Sequence, residues 1–303
     1  MLSILRKNLW LLVMLAACSP ASQTVLQPGV ARTDTTTNVH QFEFLAAQKP
    51  QSLLDLPESQ DGDIILANGY YEADFKSYCL QPGTPDPSSR DAYMMGPLSG
   101  SRRDIVESIL RNSLKKPHLE QKNIQLLLWS VVSRSNFNSL SFPVQSTAAQ
   151  LLTPKQIFEL RGGVMGVVKT VAAVMPDSGP FHEMNQLFDL GTSSYEVYER
   201  VAVLREPSVI RRPEYKKDQW YKQEGGYYIR YFPTGYQQVK IQVYVPEGTI
   251  DSTGKKSGSY LLFDPVTRMA IPANSNAQRL GIGAPMVDIF RKIIEIEKEV
   301  GRD

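Results

Sequence analysis

The N-terminus holds the feature that most constrains how this chain can fold, a short apolar run behind two basic residues. Arg6 and Lys7 precede residues 9–17, which are all apolar or small, and polar residues follow from Ser19. A helix that crosses a bilayer needs about 20 apolar residues, and this run is less than half as long. A basic start, a short apolar stretch and small residues before a cut are typical of a secretory signal peptide, which is removed. We therefore expect residues 1–17 to leave the mature protein; an uncleaved anchor and a buried helix are the alternatives.

The end of this run carries a motif that resembles one found in a known family. Leu15-Ala16-Ala17-Cys18 resembles the lipobox of bacterial lipoproteins. The resemblance implies that Cys18 becomes the diacylglyceryl-modified, N-acylated first residue, so that the mature protein is anchored to the lipid bilayer of the cell envelope without spanning it. Each buried lipid CH₂ contributes about 0.8 kcal/mol, and two or three chains on one residue hold a protein where a single chain does not. Ser19 after the cysteine is similar to the pattern that sorts such proteins to the outer membrane in hosts that have one.

Composition and charge favour a folded body behind this anchor. Hydrophobic residues make up 42% of the chain and charged residues 21%, both near the averages of globular proteins. The 33 basic and 31 acidic residues leave a net charge of +2, so no global field attracts nucleic acid, and we expect no nucleic-acid partner. Residues 18–62 are rich in Ser, Thr, Gln, Asn and Pro, and they predict a lipidated cysteine followed by a flexible tether. Residues 42–45, Phe-Glu-Phe-Leu, are an apolar exception that could dock on the body as a short strand.

Residues 63–205 carry mostly helical patterns after a turn-rich start. Capping residues mark two helix starts, at Ser101 with Asp104 three residues on and at Thr153 followed by Pro154. Residues 120–134 are apolar almost all round, which predicts a helix at the centre of the body. Residues 164–175 form a nearly unbroken apolar run that is too short to span a bilayer, and we expect a core helix there.

Residues 206–303 change to strand patterns. An apolar residue recurs at every second position from Val239 to Val245, the signature of a half-buried strand, and residues 227–232 are its expected antiparallel partner. Residues 259–263 and 268–271 predict further strands, and Pro285 opens a predicted last helix. We therefore expect an α+β fold, in which a mainly helical part, 63–205, is followed by a small antiparallel sheet and a C-terminal helix, 206–303, in one compact body.

Two residues are candidates for nucleophilic catalysis. Cys79 has no cysteine partner once Cys18 is lipidated, so its thiol is either buried and inert or exposed and reactive. Ser113, with Lys116 three residues on and Lys256-Ser257-Gly258 further along, resembles elements of the penicillin-recognising serine enzymes. That chemistry needs the serine at the start of a helix, whereas Ser113 stands at the end of one. Three scattered histidines leave no metal-ligand spacing, and we expect no metal and no cofactor.

One segment has the composition of a binding surface. Residues 205–222 interleave cations with aromatic rings, and the candidate binding residues are Arg211, Arg212, Tyr215, Trp220 and Tyr221. Acidic residues in the same segment dilute its charge, so a solvated connector is the alternative. The preferred hypothesis is a membrane-anchored envelope lipoprotein that binds or assembles with another envelope protein or a surface polysaccharide and is not an enzyme. The competing hypothesis is an envelope hydrolase that uses Cys79 or Ser113.

Overall fold

The computed structural model describes residues 39–163, 179–192, 194–286 and 293–294. The predicted signal peptide, Cys18, the apolar run 164–175 and most of the predicted C-terminal helix lie outside these residues. Within them, the α-helices are α1 Arg103–Leu114, α2 Gln121–Ser133, α3 Phe142–Leu151, α4 Pro154–Leu160, α5 Pro180–Asp189 and α6 Tyr195–Ala202. Short 3-10 helices form at Val39–Ala47, Leu53–Asp55 and Phe137–Ser139.

The strands are more numerous than the helices and extend through the whole described chain. They are β1 Gln51–Ser52, β2 Glu58–Ser59, β3 Ile64–Ile65, β4 Gly69–Cys79, β5 Thr84–Pro85, β6 Tyr93–Pro97, β7 Val203–Leu204, β8 Tyr221–Lys222, β9 Tyr228–Pro233, β10 Gln238–Val245, β11 Lys255–Lys256, β12 Ser259–Tyr260, β13 Leu262–Phe263, β14 Arg268–Pro272, β15 Leu280–Pro285 and β16 Ile293–Ile294.

One large antiparallel sheet organises the molecule. Its strands follow the order β6-β14-β15-β4-β10-β9-β8, and the short β1 pairs in parallel with the first half of β4. The sheet curls until β6 lies close to β9, so that it forms a nearly closed barrel. A four-stranded sheet, β13-β3-β2-β16, and the pairs β5-β7 and β11-β12 lie beside it.

The central strand, β4, shows why this sheet has a buried and a solvated face. Tyr71 and Phe75 point inward and are buried, whereas Glu72 and Asp74, between them, are partly exposed. Side chains of a strand alternate between the two faces, so the apolar set lines the barrel interior. β10 lies antiparallel beside β4, with Ile241 opposite Ala73, and contributes four fully buried side chains, Val239, Ile241, Val243 and Val245.

The helices pack on the sheet, and one continuous apolar core joins the two layers. α2 is buried on nearly every side and contacts β4, α3, α5 and α6. α1 packs on β15, a strand that contains two glycines. A Cβ atom on Gly283 would lie 2.6 Å from a ring carbon of Tyr78 on β4, so glycine is required there for the two strands to approach.

The segment 39–47, which lies inside the predicted tether of residues 18–62, docks on the outer face of the sheet, so the folded body begins before residue 63. Val39–Ala47 is a 3-10 helix, and the buried ring of Phe42 lies 4.6 Å from that of Tyr228 and 6.2 Å from that of Trp220, between ring centroids. The apolar exception in residues 42–45 therefore does dock on the body, but as a 3-10 helix rather than as a strand.

The predicted fold class is wrong. Five strands, β3 to β7, lie inside the part expected to be mainly helical, and β4 is the centre of a sheet that is large rather than small. Residues 71–76 of β4 alternate apolar and polar side chains with the period of a strand, whereas the strong helical patterns of this part begin only after residue 103. At the other end, Pro285 closes β15 instead of opening a helix, and Ile293–Ile294 pairs in parallel with β2.

Candidate functional site

The predicted binding segment, residues 205–222, runs over the outside of β6 and β14. Ile210 forms a bridge with Ser275, and the backbone N–H groups of Arg211 and Arg212 both donate to the carbonyl of Asn274, at 2.8 and 3.0 Å. These contacts fix the backbone of the segment beside the end of β14. Its side chains, in contrast, point in different directions.

The candidate residues of this segment divide into two groups. Trp220 and Tyr221 are each only 1% exposed; the first packs in the aromatic cluster of Phe42, and the second joins a small core on the outside of β6. Burial raises the pKa of Tyr221 above its ordinary value. Neither ring is open to a ligand. Arg211 and Arg212 are exposed, and the Arg212 guanidinium lies 5.5 Å from the ring centroid of the partly buried Tyr215. Cys18, the predicted lipidation site, lies outside the described residues.

Cys79, the candidate thiol nucleophile, is enclosed by the core. Its exposed fraction is 0%, and burial raises the pKa of its thiol to about 12. The nucleophile of a cysteine enzyme is a thiolate within reach of a base. His118 is exposed and contacts Gln150, and His182 contacts Gln186, so both rings lie towards the surface and away from the core. A substrate has no access to this sulfur in the folded state.

Ser113, the candidate hydroxyl nucleophile, is also buried. Its side chain is in the last turns of α1, and Oγ donates to the carbonyl of Leu110 at 2.6 Å. Lys256 donates its Nζ proton to the carbonyl of Gly225 instead. The burial of Cys79 and Ser113 removes the two residues on which the hydrolase hypothesis depended.

A surface cavity of about 390 Å³ opens where the two ends of the curled sheet come together, and we call it the seam cavity. The residues that line it are Met95, Gly96, Pro97, Lys222, Gln223, Glu224, Gly225, Tyr227, Leu261, Leu262 and Arg268. Met95 and Tyr227 are buried and form its floor, and Lys222, Glu224 and Arg268 are exposed at its mouth. The cavity therefore combines an apolar floor with charges of both signs.

The turn between β8 and β9 fixes one wall of the seam cavity. The N–H of Gln223 donates to the Tyr227 carbonyl at 2.8 Å, and the N–H of Gly226 donates to the Gln223 carbonyl at 3.0 Å. Gly225 has φ +96°, and a Cβ atom there would lie 2.5 Å from Cδ1 of Leu261. Glycine is needed at this position both for the turn and for the close contact. Burial raises the pKa of Tyr227 to about 12.

Sequence reasoning found only one edge of this cavity. Lys222 ends the segment predicted to bind, whereas Glu224, Tyr227 and Arg268 were not singled out. The lining comes from β6, β8 and the turn after it, residues 261–262 and the start of β14, which the fold brings together from distant parts of the chain. No local sequence pattern predicts where such distant segments come together.

In the described part of the chain, no three His, Cys, Asp or Glu side chains gather in an arrangement that could hold a metal ion. None of the helices described is both long enough and apolar enough to pass through a bilayer. Comparison with known proteins found no family model, no curated protein and no solved structure that matches the chain. The site is therefore interpreted from its own geometry.

Proposed function

We propose that this protein is a lipid-anchored component of the bacterial cell envelope whose folded body binds another envelope protein and catalyses no reaction. Cys18 carries the anchor, and the seam cavity is the contact site. The observation that carries the proposal is the make-up of this cavity, a buried apolar floor below a mouth with two cations and one carboxylate.

A protein partner fits the seam cavity better than a polysaccharide does. A sugar ring is commonly held by stacking on an exposed aromatic plane, but Trp220, Tyr221 and Tyr227 are all buried. A protein surface offers charged and apolar side chains together, which complement Lys222 and Glu224 at the mouth and the 38% exposed Leu262 beside them. Two of the three aromatic rings in residues 205–222, Trp220 and Tyr221, therefore serve the core, and only Tyr215 is partly exposed.

The anchor limits where the partner lies. The 21 residues from 18 to 38 join Cys18 to the described body, and a chain of that length reaches at most about 70 Å even when fully extended. The seam cavity therefore stays close to one membrane surface. This confinement raises the effective concentration of a partner in the same membrane.

The experiment that tests the binding site is photo-crosslinking in intact envelopes. A photoreactive amino acid replaces Leu262, and the matched control carries it at Lys155, an exposed position on α4. We expect a discrete crosslinked protein from position 262 that is absent from position 155 and is lost when Lys222→Glu and Arg268→Glu are combined. Equal products at both positions, or none at either, would contradict the proposal.

The anchor is tested separately with Cys18→Ala. We expect the wild-type protein to incorporate a labelled fatty acid and to sediment with membranes, and the variant to do neither. Retention of the label in the variant would show that another residue is acylated.

A further inference from the structure

A second cavity, of about 260 Å³, lies where the start of α1 meets the end of α2. We call it the arginine pocket. Its lining residues are Leu80, Ser99, Gly100, Ser101, Arg102, Arg103, Val106, Val131, Val132, Arg134 and Phe181. Three of them are arginines and none is acidic, which distinguishes this cavity from the seam cavity.

Arg102 and Arg134 each use only part of their hydrogen-bonding capacity within the protein. Nη1 of Arg102 donates to the carbonyl of Val131 at 3.1 Å, and Nη2 of Arg134 donates to Oγ of Ser101 at 2.9 Å. A guanidinium group has five N–H donors, so both keep donors for a ligand. Arg103 is exposed and pairs with the neighbouring Asp104 at 3.2 Å.

The described residues supply no ion-pair partner for Arg102 or Arg134, since none of their carboxylates lies within 4.0 Å of either guanidinium. Both side chains are partly buried. Burial and the nearby charge of Arg134 lower the pKa of Arg102. Two like charges that are withdrawn from water and lack a counter-charge raise each other's free energy, and a bound anion would relieve this.

Apart from Ser99 and Ser101, the rest of the lining carries no polar side chain. Leu80, Val106, Val131 and Val132 line the cavity, and the partly exposed ring of Phe181 stands at its edge. A ligand that fills the cavity therefore meets both cations and hydrocarbon.

We propose that the arginine pocket binds a phosphate group that is attached to an apolar moiety. The planar guanidinium fork matches the oxygens of a phosphate, which gives two parallel charge-assisted hydrogen bonds per arginine. A phosphate monoester has three such oxygens and up to two negative charges, which balance the two unpaired cations, and a diester has two such oxygens and one charge. The chemistry is shared by the headgroup of a phospholipid and by a small phosphate ester. It is independent of the function proposed for the seam cavity.

The test measures binding to the mature lipidated protein in a non-ionic detergent by titration calorimetry. The probes are inorganic phosphate, phenyl phosphate and a short-chain phosphatidic acid that is soluble as a monomer. The variants are Arg134→Gly, which removes one cation at a backbone position that glycine favours, and Arg102→Lys, which keeps the charge and loses the fork. Arg200→Ala, on the exposed side of α6, is the matched control. Circular dichroism and thermal melting establish that each variant is folded.

We expect phenyl phosphate to bind more tightly than inorganic phosphate, and each pocket variant to lose affinity by at least about tenfold while the control does not. Tighter binding of the phosphatidic acid than of phenyl phosphate would identify a lipid headgroup as the source, and weaker binding would identify a small ester. Equal affinity of wild type and Arg134→Gly, or no binding of any probe, would overturn the proposal. Either result would leave the crosslink at position 262 unaffected, so the two proposals fail separately.

Discussion

The residues in the middle of α2 stabilise the fold, whereas the residue at its C-terminal end adopts a backbone conformation that costs free energy. In the middle, Gln125 and Trp129 are fully buried and make contacts that fix the helix on the sheet and on α6. At the end, Arg134 adopts a left-handed conformation with φ +58° beside a pocket of cations. Arg134 is therefore a residue that stability alone would not favour, and it stands at the pocket for which we propose a ligand.

In the middle of the helix, both polar atoms of the Gln125 amide are paired, whereas the buried indole N–H of Trp129 has no hydrogen-bond partner among the described residues. Oε1 of Gln125 accepts from the backbone N–H of Cys79 at 2.8 Å, and its Nε2 donates to the Cys79 carbonyl at 2.9 Å. The Trp129 ring stacks on Tyr195 with 5.6 Å between centroids. A buried amide that pairs both backbone groups at the end of β4 joins helix and sheet without leaving a polar atom unpaired there.

The largest effect expected from this contrast is the protection of the Cys79 thiol, which lies beside Gln125. We expect it to react with a thiol reagent at least about a thousandfold more slowly in the folded protein than in guanidinium chloride, because only the opened chain exposes it. Absorbance of the released chromophore measures the rate. The unfolded mature protein should give one thiol per chain, and two if Cys18 is unmodified. Rapid reaction in the native state would reopen the hydrolase hypothesis.

The same thiol makes the free energy of unfolding depend on pH. The pKa of Cys79 is raised in the fold from 9.0 to about 12, so the unfolded chain ionises first as pH rises. Its contribution to the free energy of unfolding is complete below about pH 9 and is lost towards about pH 12. Chemical denaturation across this range should show a decline that is smaller in Cys79→Ala.

Trp129→Ala is the next largest expected effect. Removing a fully buried ring from the middle of α2 leaves a cavity, and we expect the free energy of unfolding to fall by about 3–5 kcal/mol. Denaturant titration measures the loss, and Arg200→Ala serves as the control with a change below about 0.5 kcal/mol. A loss under about 1 kcal/mol would show that α2 is not the centre of the core.

Gln125→Leu should lower the free energy of unfolding by less than Trp129→Ala does, because leucine has nearly the same volume as glutamine. It leaves the N–H and the carbonyl of Cys79 without their partners, and each unpaired buried group costs about 1–3 kcal/mol. The two groups together would cost about 2–6 kcal/mol, and because the side-chain volume is nearly conserved we expect a loss in the lower part of that range, about 2–4 kcal/mol, in the same titration. No change would mean that water replaces the amide at the end of β4.

Local patterns in the sequence predicted some of these elements correctly. The apolar run of residues 120–134 became α2, the alternation from Val239 to Val245 became β10, and Thr153 forms the expected N-cap, in a capping box with Gln156. The capping box at Ser101 did not form, and Arg102 caps α1 without a side-chain hydrogen bond. Signals of this kind depend on neighbours within one or two turns, which is why they can be seen without a structure.

Long-range pairing could not be predicted in this way. β4 pairs with β10 and β15, which follow it by more than 150 residues. In the sequence alone the glycines of β15 indicate a turn, and only the structure shows that Gly283 makes room for the ring of Tyr78. Both cavities depend on such pairings. The arginine pocket in particular joins residues of α1, α2 and the start of α5, so neither its cations nor its apolar wall formed a recognisable motif.

Arg134→Gly is the smallest expected effect and the only one that should stabilise the protein. A left-handed residue at a helix end is usually glycine, because a side chain there costs about 1 kcal/mol. We expect the variant to gain up to about 1 kcal/mol in the free energy of unfolding, partly offset by the loss of the Ser101 hydrogen bond. Denaturant titration in the absence of phosphate measures this gain, and Arg134→Ala is the control, because it removes the same charge and keeps the backbone cost. If the glycine variant is less stable than the alanine variant, the arginine is not strained. If the glycine variant is more stable than the alanine variant and binds phosphate less tightly than wild type, Arg134 serves phosphate binding at a cost to the stability of the fold.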